Sequence, residues 1–344
     1  MRILVTGGAG FIGSAASKSF LTQGHTVGIL DNFSRPGSRA NLDWVLQSGR
    51  PEIYTESIVD SVAVNDCFQD FNPDAIVHLA AQVAVTFSVE DPRHDFEANV
   101  IGTFNLLEAT RRFSPSSKFI FASTNKVYGD LGDIPILEHE SRYGFGPDLE
   151  GIDESTPLDF HSPYGCSKGA ADAYVKDYSR IYGLHTTVVR QSCIYGPRQF
   201  GIEDQGWIAW FIIAALLGRK IKVFGTGKQV RDALHVDDLI DLYLAILNSS
   251  DWEPGQVVNA GGGRNNSLSV LELLNYVADR LGTEVQFEFF EARHGDQKIF
   301  ISDNSKALRD FDWSPKISLS SGIDGLYSWI SDNLETIRNT LEQV

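Results

Sequence analysis

Two kinds of apolar pattern alternate along the first half of the chain. Short runs of consecutive apolar residues (Arg2–Thr6, Thr26–Leu30, Glu52–Tyr54, Ala75–Leu79, Lys118–Ala122 and His185–Arg190) predict strands covered on both faces. Between them, apolar positions recur every three to four residues and predict helices: one ending near Gly24, then Val62–Phe71, then about Arg93–Phe113. A further helix opens with Ser162 as N-cap and Pro163 at its first position, and stops at Gly183. Repeated strand–helix units predict an α/β fold with a doubly wound parallel sheet and ligands at the carboxyl ends of its strands. Ala80, Ala81, Ser123, Thr124 and Cys193 fall at such ends.

After Arg190 the alternation loosens. Helices are predicted over Trp207–Leu217, Val236–Leu247, behind the serines of GGGRNNSLSV, and near Ile323–Leu341; strands are predicted at Gln256–Asn259 and Glu284–Phe290. These segments read as a second, smaller α/β domain, formed by residues 191–232 and 263–344, with 1–190 and 233–262 forming the first. There is no internal repeat.

Composition narrows the partners. The net charge of −16 argues against nucleic acid and against an anionic membrane surface. It also requires any phosphate-bearing ligand to be held by locally placed Arg, Lys and backbone N–H groups. Three cysteines, Cys67, Cys166 and Cys193, read as reduced thiols and not as a disulfide framework. The first residues already read as a strand and its turn, and the longest apolar run, Trp207–Leu217, is too short to span a bilayer. The expectation is a soluble cytoplasmic protein without a metal, since His161 and His235 have no ligand spacing with carboxylates or cysteines.

Candidate chemistry begins at the first turn. GGAGFIG places Gly7, Gly10 and Gly13 between a strand and a helix, and the next strand ends on Asp31. Such glycines admit a pyrophosphate to the backbone, and a carboxylate in this position accepts hydrogen bonds from an adenosine ribose while repelling a 2′-phosphate. This favours NAD over NADP, although Arg35 lies close enough to blur the preference. Tyr164 and Lys168, four apart, share one helical face. Using a tyrosine as a base near pH 7 requires lowering its pKa by about three units, or ~4 kcal/mol. The ammonium of Lys168 and the helix N-terminus are expected to supply that shift. In a chain with 11 tyrosines such a pair is weak evidence alone.

GGAGFIG, Ser123-Thr124 with Val127-Tyr128-Gly129, the later YGCSK, VRDALHVDD and Arg293…Asp296 together resemble the extended short-chain dehydrogenase/reductase family of nucleotide-sugar epimerases and dehydratases. The resemblance implies a Rossmann domain with NAD and a nucleotide-sugar domain. In it Tyr164 is the acid/base, Lys168 binds the nicotinamide ribose and lowers the tyrosine pKa, and Thr124 holds the reacting hydroxyl. The implied cofactor contacts are Gly7, Gly10, Phe11, Ile12, Gly13, Asp31, Asn32, Ser57, Ile58, Leu79, Ala80, Ala81, Gln82, Asn99, Ser123 and Cys193. Arg231 and Arg293 match the arginines that hold the diphosphate, a role suited to guanidinium forks. Val83, Thr86, Asn125, Gln199, Asp204, Trp207 and Phe224 are the remaining substrate candidates, with Trp207, Trp210 and Phe211 as an apolar wall. Relatives commonly form homodimers or homotetramers, here through the outward faces of the Arg93–Phe113 and Tyr164 helices. Ala171, Tyr174, Val175 and Tyr178 serve either that contact or packing on the sheet.

Two departures matter. The sugar 4,6-dehydratases carry Thr-Asp-Glu where this chain has Thr124-Asn125-Lys126, and neither Asn125 nor Lys126 supplies the acid and carboxylate base of an elimination. Ser57 stands where many members have an Asp that touches adenine. The strings STNKVYGDL, GIDESTPLDFHSPYGCSKGAAD, RQFGIEDQGWIAWF and GKQVRDALH resemble the branch that inverts carbon 2 of a CDP-sugar. Inversion of carbon 4 of a UDP-hexose by the same machinery, net dehydrogenation, and a non-catalytic NAD-binding protein remain open at this point.

Overall fold

In β1 (Arg2–Thr6) every residue after Arg2 is buried, and neighbours along it enter opposite cores: Ile3 and Val5 one, Leu4 the other. That two-sided burial is why consecutive apolar residues, and not an alternating pattern, mark the strands. The computed structural model describes residues 1–250, 253–293 and 296–342. β1 pairs in parallel with β2 (Thr26–Leu30) on one side and β4 (Ala75–His78) on the other. β3 (Glu52–Tyr54) extends the sheet beyond β2, while β5 (Lys118–Thr124), then His185–Gln191, then Gln256–Ala260 extend it beyond β4. All seven strands are parallel, and the order reverses between β1 and β4. Beside that switch point the strand ends splay and leave a crevice.

One face is covered by the helices Phe11–Thr22 and Val236–Asn248, through Phe20, Leu239 and Tyr243. The other is covered by Ser61–Phe71, Gly102–Phe113 and Ser162–Tyr182, through Phe68, Leu106, Ala171 and Val175. Tyr178 is buried there too, whereas Tyr174 points outward. A third core joins Trp207–Leu216, Val270–Leu281 and Leu319–Asp332. Val270–Leu281 begins with a capping box, Ser269 Oγ accepting from Glu272 N at 3.1 Å while Glu272 accepts from Ser269 N at 2.8 Å; such a cap contributes about 1 kcal/mol.

Several expectations are corrected. The helix expected over Arg93–Phe113 is a short helix, Pro92–Phe96, a π-turn, Glu97–Ile101, and a longer helix, Gly102–Phe113. Ser162 is itself the first residue of its helix, so the cap position falls on His161, whose side chain makes no capping bond. Ser162, held at φ +68, nevertheless performs the cap's work, its Oγ accepting from Gly165 N at 3.2 Å. Gly183 ends the helix in the left-handed conformation, as expected. The strand expected at Glu284–Phe290 covers only Phe287–Phe290, and the closing helix breaks at Asn333. A small mixed sheet went unforeseen: Val230–His235 pairs with Cys193–Tyr195, Ser267–Ser269 and Ile299–Phe300. Among the described residues no helix is long and apolar enough to cross a membrane.

Candidate active site

The turn after β1 is shaped by what it excludes. Gly7 has φ +67, and a Cβ there would lie 2.7 Å from the backbone nitrogen of Ala80; a Cβ on Gly13 would lie 2.0 Å from the Gly7 carbonyl oxygen. The helix Phe11–Thr22 therefore starts directly on the turn, with unpaired N–H groups at its mouth. Asp31, at the end of β2, accepts from Ala9 N at 2.9 Å and Phe33 N at 2.8 Å. Burial raises its pKa against the pull of those donors. With Gly10 N as a third backbone donor, the carboxylate keeps lone-pair capacity for about one ribose hydroxyl. A cradle that any Cβ would fill, closed by an acid, fits a dinucleotide. Around it, Ile58 packs against Gly102, Ser57 accepts from Val59 N, and Asn32 is exposed and accepts from Ser34 N. Leu79, Ala80 and Ala81 are half-buried at the end of β4.

β5 and the helix Ser162–Tyr182 bring Thr124, Tyr164 and Lys168 together. Tyr164 is 7% and Lys168 4% exposed. Lys168 Nζ donates to the Ala122 carbonyl at 2.6 Å and lies 4.2 Å from the centre of the Phe121 ring. The Tyr164 backbone N–H donates to Ser88 Oγ at 3.1 Å. Charge behaves differently here from the sequence expectation. Burial pushes the Tyr164 phenol up to about 12, against a lowering hydrogen bond with Thr124 and with a further raising contribution from Asp95. Burial lowers Lys168 to about 7, opposed by Asp172 and Asp95. The expected lowering of Tyr164 by Lys168 is not found: burial dominates the shift, and the lowering influence on the phenol is the hydrogen bond with Thr124. A positive charge brought into the pocket would favour the phenolate.

Under this pair lies a polar network. Asn99, on the π-turn, donates to the Gln82 carbonyl (3.0 Å), Asp95 Oδ1 (3.1 Å) and Ser167 Oγ (3.0 Å), and accepts from Gln82 N (3.0 Å). Gln82 Nε2 also donates to Asp95 Oδ1 at 2.9 Å. The extra residue of a π-turn aims Asn99 inward, a device common at functional sites. Asp95, Ser88 and Ser167 were missed from the sequence; Asp95, four residues before Asn99 and so on its face, was the findable one. Deeper, Ser123 Oγ donates to Asp172 Oδ2 (2.8 Å), and Asp172 pairs with Arg190 through two bonds at 2.9 and 3.1 Å.

On the other side of the crevice the substrate candidates form an ion-paired rim. Arg293 donates to Asp204 Oδ1 at 3.0 Å and stacks 3.9 Å over the Phe224 ring. Arg231 donates to Asp296 Oδ1 at 2.6 Å. Trp207 Nε1 donates to Cys193 Sγ at 3.1 Å, and burial pushes that thiol up to about 12. Trp207 and Trp210 are half-buried, but Phe211 is core. Asn125 does not reach out; its amide donates to Gln297 Oε1 at 3.1 Å. Gln199 Oε1 and Thr86 Oγ1 are buried without a hydrogen-bond partner, and Val83 is half-buried near Thr86. His161 Nε2 donates to Asp159 Oδ2 at 2.9 Å, and His161, Asp159 and Asp130 form a group of ligand-type atoms within 4.8 Å that residue spacing did not foresee.

Comparison with known proteins agrees with this geometry. The family model "NAD dependent epimerase/dehydratase family" matches residues 3–261. The chain is 44% identical over 336 residues to CDP-paratose 2-epimerase of Salmonella typhi, covering 96% of this chain and 99% of that protein. Among solved structures it resembles UDP-glucose 4-epimerase of Thermotoga maritima with UDP-glucose, with a TM-score of 0.84, 32% identity, and 97% and 100% of the two chains covered. It also resembles a dTDP-glucose 4,6-dehydratase of Streptomyces venezuelae with NAD bound, with a TM-score of 0.85, 29% identity, and 98% of each chain covered. Two-sided strands, the glycine cradle with Asp31, and the Thr124–Tyr164–Lys168 pocket thus belong to a member of the NAD-dependent epimerase/dehydratase family, an enzyme of nucleotide sugars whose cofactor is NAD.

Proposed function

We propose that the protein is a nucleotide-sugar 2-epimerase, converting CDP-paratose to CDP-tyvelose. The observation that carries the reading is the 44% identity to CDP-paratose 2-epimerase along almost the whole of both chains. Asn125 and Lys126, in place of an acid and a carboxylate base, weigh against dehydration. On this reading residues 1–190 with 233–262 hold NAD, and 191–232 with 263–344 hold the nucleotide sugar.

The C–H bond at a carbon bearing only a hydroxyl is too weakly acidic for direct proton removal. Bound NAD supplies hydride acceptance and return, and its positive charge when oxidised favours the Tyr164 phenolate. Thr124 holds the carbon-2 hydroxyl against Tyr164. Tyr164 takes the hydroxyl proton as carbon 2 is oxidised, and returns it once the 2-keto sugar has turned its other face. Lys168, fixed by the Ala122 carbonyl, holds the nicotinamide ribose. Arg231 and Arg293 exchange their carboxylate partners for the diphosphate, and Trp207 walls the dideoxy ring. Cytoplasmic location and a homo-oligomer go with this reading; exposed Phe104, Tyr174, Ile181 and Tyr182 offer the contact face.

Incubation of the purified protein with CDP-paratose and no added NAD tests the function. Accumulation of CDP-tyvelose, identified by NMR, is expected. Inversion at carbon 4 alone would establish a 4-epimerase, and a requirement for stoichiometric added NAD would establish a dehydrogenase.

A further inference from the structure

Lys126 has no part in the steps above, yet it stands two residues after Thr124, on the 3-10 turn Asn125–Tyr128. Its ammonium lies 3.4 Å from Asp296 Oδ1, the same oxygen that accepts from Arg231 at 2.6 Å. One carboxylate therefore serves two cations, and the trio carries one positive charge in excess. Lys126 is not a surface lysine reaching into water, since only 19% of its side chain is exposed. Burial and the neighbouring guanidinium lower its pKa to about 8, which leaves it mostly charged at neutral pH. A diphosphate reaching Arg231 meets Lys126 as well.

We propose that Lys126 selects the carbon that reacts, by drawing the sugar-linked phosphate toward Thr124 so that carbon 2, and not carbon 4, meets Tyr164. The proposal rests on the carbon-2 reading above. Carbon 2 is bonded to the anomeric carbon that carries the phosphate, whereas carbon 4 lies across the ring from it. To bring the carbon-2 hydroxyl to Thr124 and Tyr164, the phosphate must come close to them; to bring the carbon-4 hydroxyl there, it must stand off by the width of the ring. A cation anchored next to Thr124 in the chain favours the first arrangement. Arg231 and Arg293 are carried by other segments, Val230–His235 and the stretch after Phe290, and do not discriminate in this way. Asn125 is withdrawn into its bond with Gln297, leaving Lys126 as the group of this turn that reaches the rim.

CDP-paratose, a 3,6-dideoxyhexose derivative, has hydroxyls at both carbons 2 and 4, so one substrate reports both choices. Lys126→Met and Lys126→Arg holoenzymes would be incubated with CDP-paratose at near-stoichiometric enzyme, and carbon-4 to carbon-2 inversion read by NMR, with NAD content and CDP affinity as measures of integrity. In Lys126→Met the ratio should rise roughly tenfold or more over wild type, because the two bound poses lose their difference in stability. Lys126→Arg, which keeps the charge, should hold the ratio within about threefold of wild type. An unchanged ratio in Lys126→Met, at whatever rate, overturns the assignment, as does a ratio shifted equally far in Lys126→Arg. If wild type itself inverts no carbon 2, the functional reading fails, a result distinct from failure of the Lys126 assignment.

Discussion

The Tyr164 pocket and the Arg231–Arg293 rim treat charge in opposite ways. In the pocket, burial drives both titrating groups toward neutrality, Tyr164 up to about 12 and Lys168 down to about 7. At the rim, Arg231, Arg293 and Lys126 each face a carboxylate, Asp296 or Asp204. A site whose buried groups lean toward neutrality is suited to moving a proton. A rim with ready-made ion pairs is suited to exchanging a carboxylate for a phosphate. Proton chemistry and ligand retention are thus separable here, and each of the following variants is aimed at one side of that division.

The largest effect is expected at the pocket. On the proposed mechanism Tyr164→Phe removes the proton carrier and should lower kcat by about 10³-fold, with NAD content unchanged. Stopped assays with quantified NAD would check it; near-wild-type turnover would remove Tyr164 from the mechanism. Behind the pocket, Arg190 and Asp172 are 3% and 1% exposed. Arg190→Ala leaves Asp172 uncompensated and should cost about 3–5 kcal/mol in chemical unfolding.

A pH effect follows from Lys168. Its unfolded pKa is the ordinary 10.5, and the folded value lies near 7, so between pH 7 and 10 the unfolded chain binds more protons than the folded one. Stability from this group therefore rises with pH across that window. Lys168→Met removes the burial of charge, so its stability relative to wild type should be greater at pH 7 than at pH 9 in urea titrations. An advantage that grows with pH would contradict the burial of a charged lysine.

At the rim, Arg293→Ala should weaken CDP binding by about tenfold to a hundredfold while leaving kcat within about threefold, since binding and not chemistry is lost. Equilibrium titration with CDP beside steady-state kinetics separates the two. The smallest change is expected from Asp204→Ala. Its pair with Arg293 is open to solvent, 44% and 29% exposed, so stability should move by less than about 1 kcal/mol. A loss as large as that of Arg190→Ala would erase the distinction between pocket and rim.

The same division governs what was legible in the sequence. The sheet was readable because its strands are buried on both faces, and the cofactor turn because Gly7 and Gly13 have no room for a Cβ. Tyr164 and Lys168 were readable because four residues on a helix is a fixed geometry. The rim was less so: Lys126 meets Asp296, and Arg231 meets Phe300 and Leu268, across long stretches of chain through strands of two to six residues. Such short strands carry too few residues to show a period. Residue spacing places a cation near Tyr164 but does not reveal the burial that raises the phenol's pKa.

On the proposed mechanism hydride leaves carbon 2 and returns to the same molecule while Tyr164 shuttles one proton. CDP-paratose carrying deuterium at carbon 2, converted in ordinary water, should therefore give CDP-tyvelose with the deuterium retained at the inverted carbon 2. Replacement of that deuterium by solvent hydrogen would overturn the mechanism.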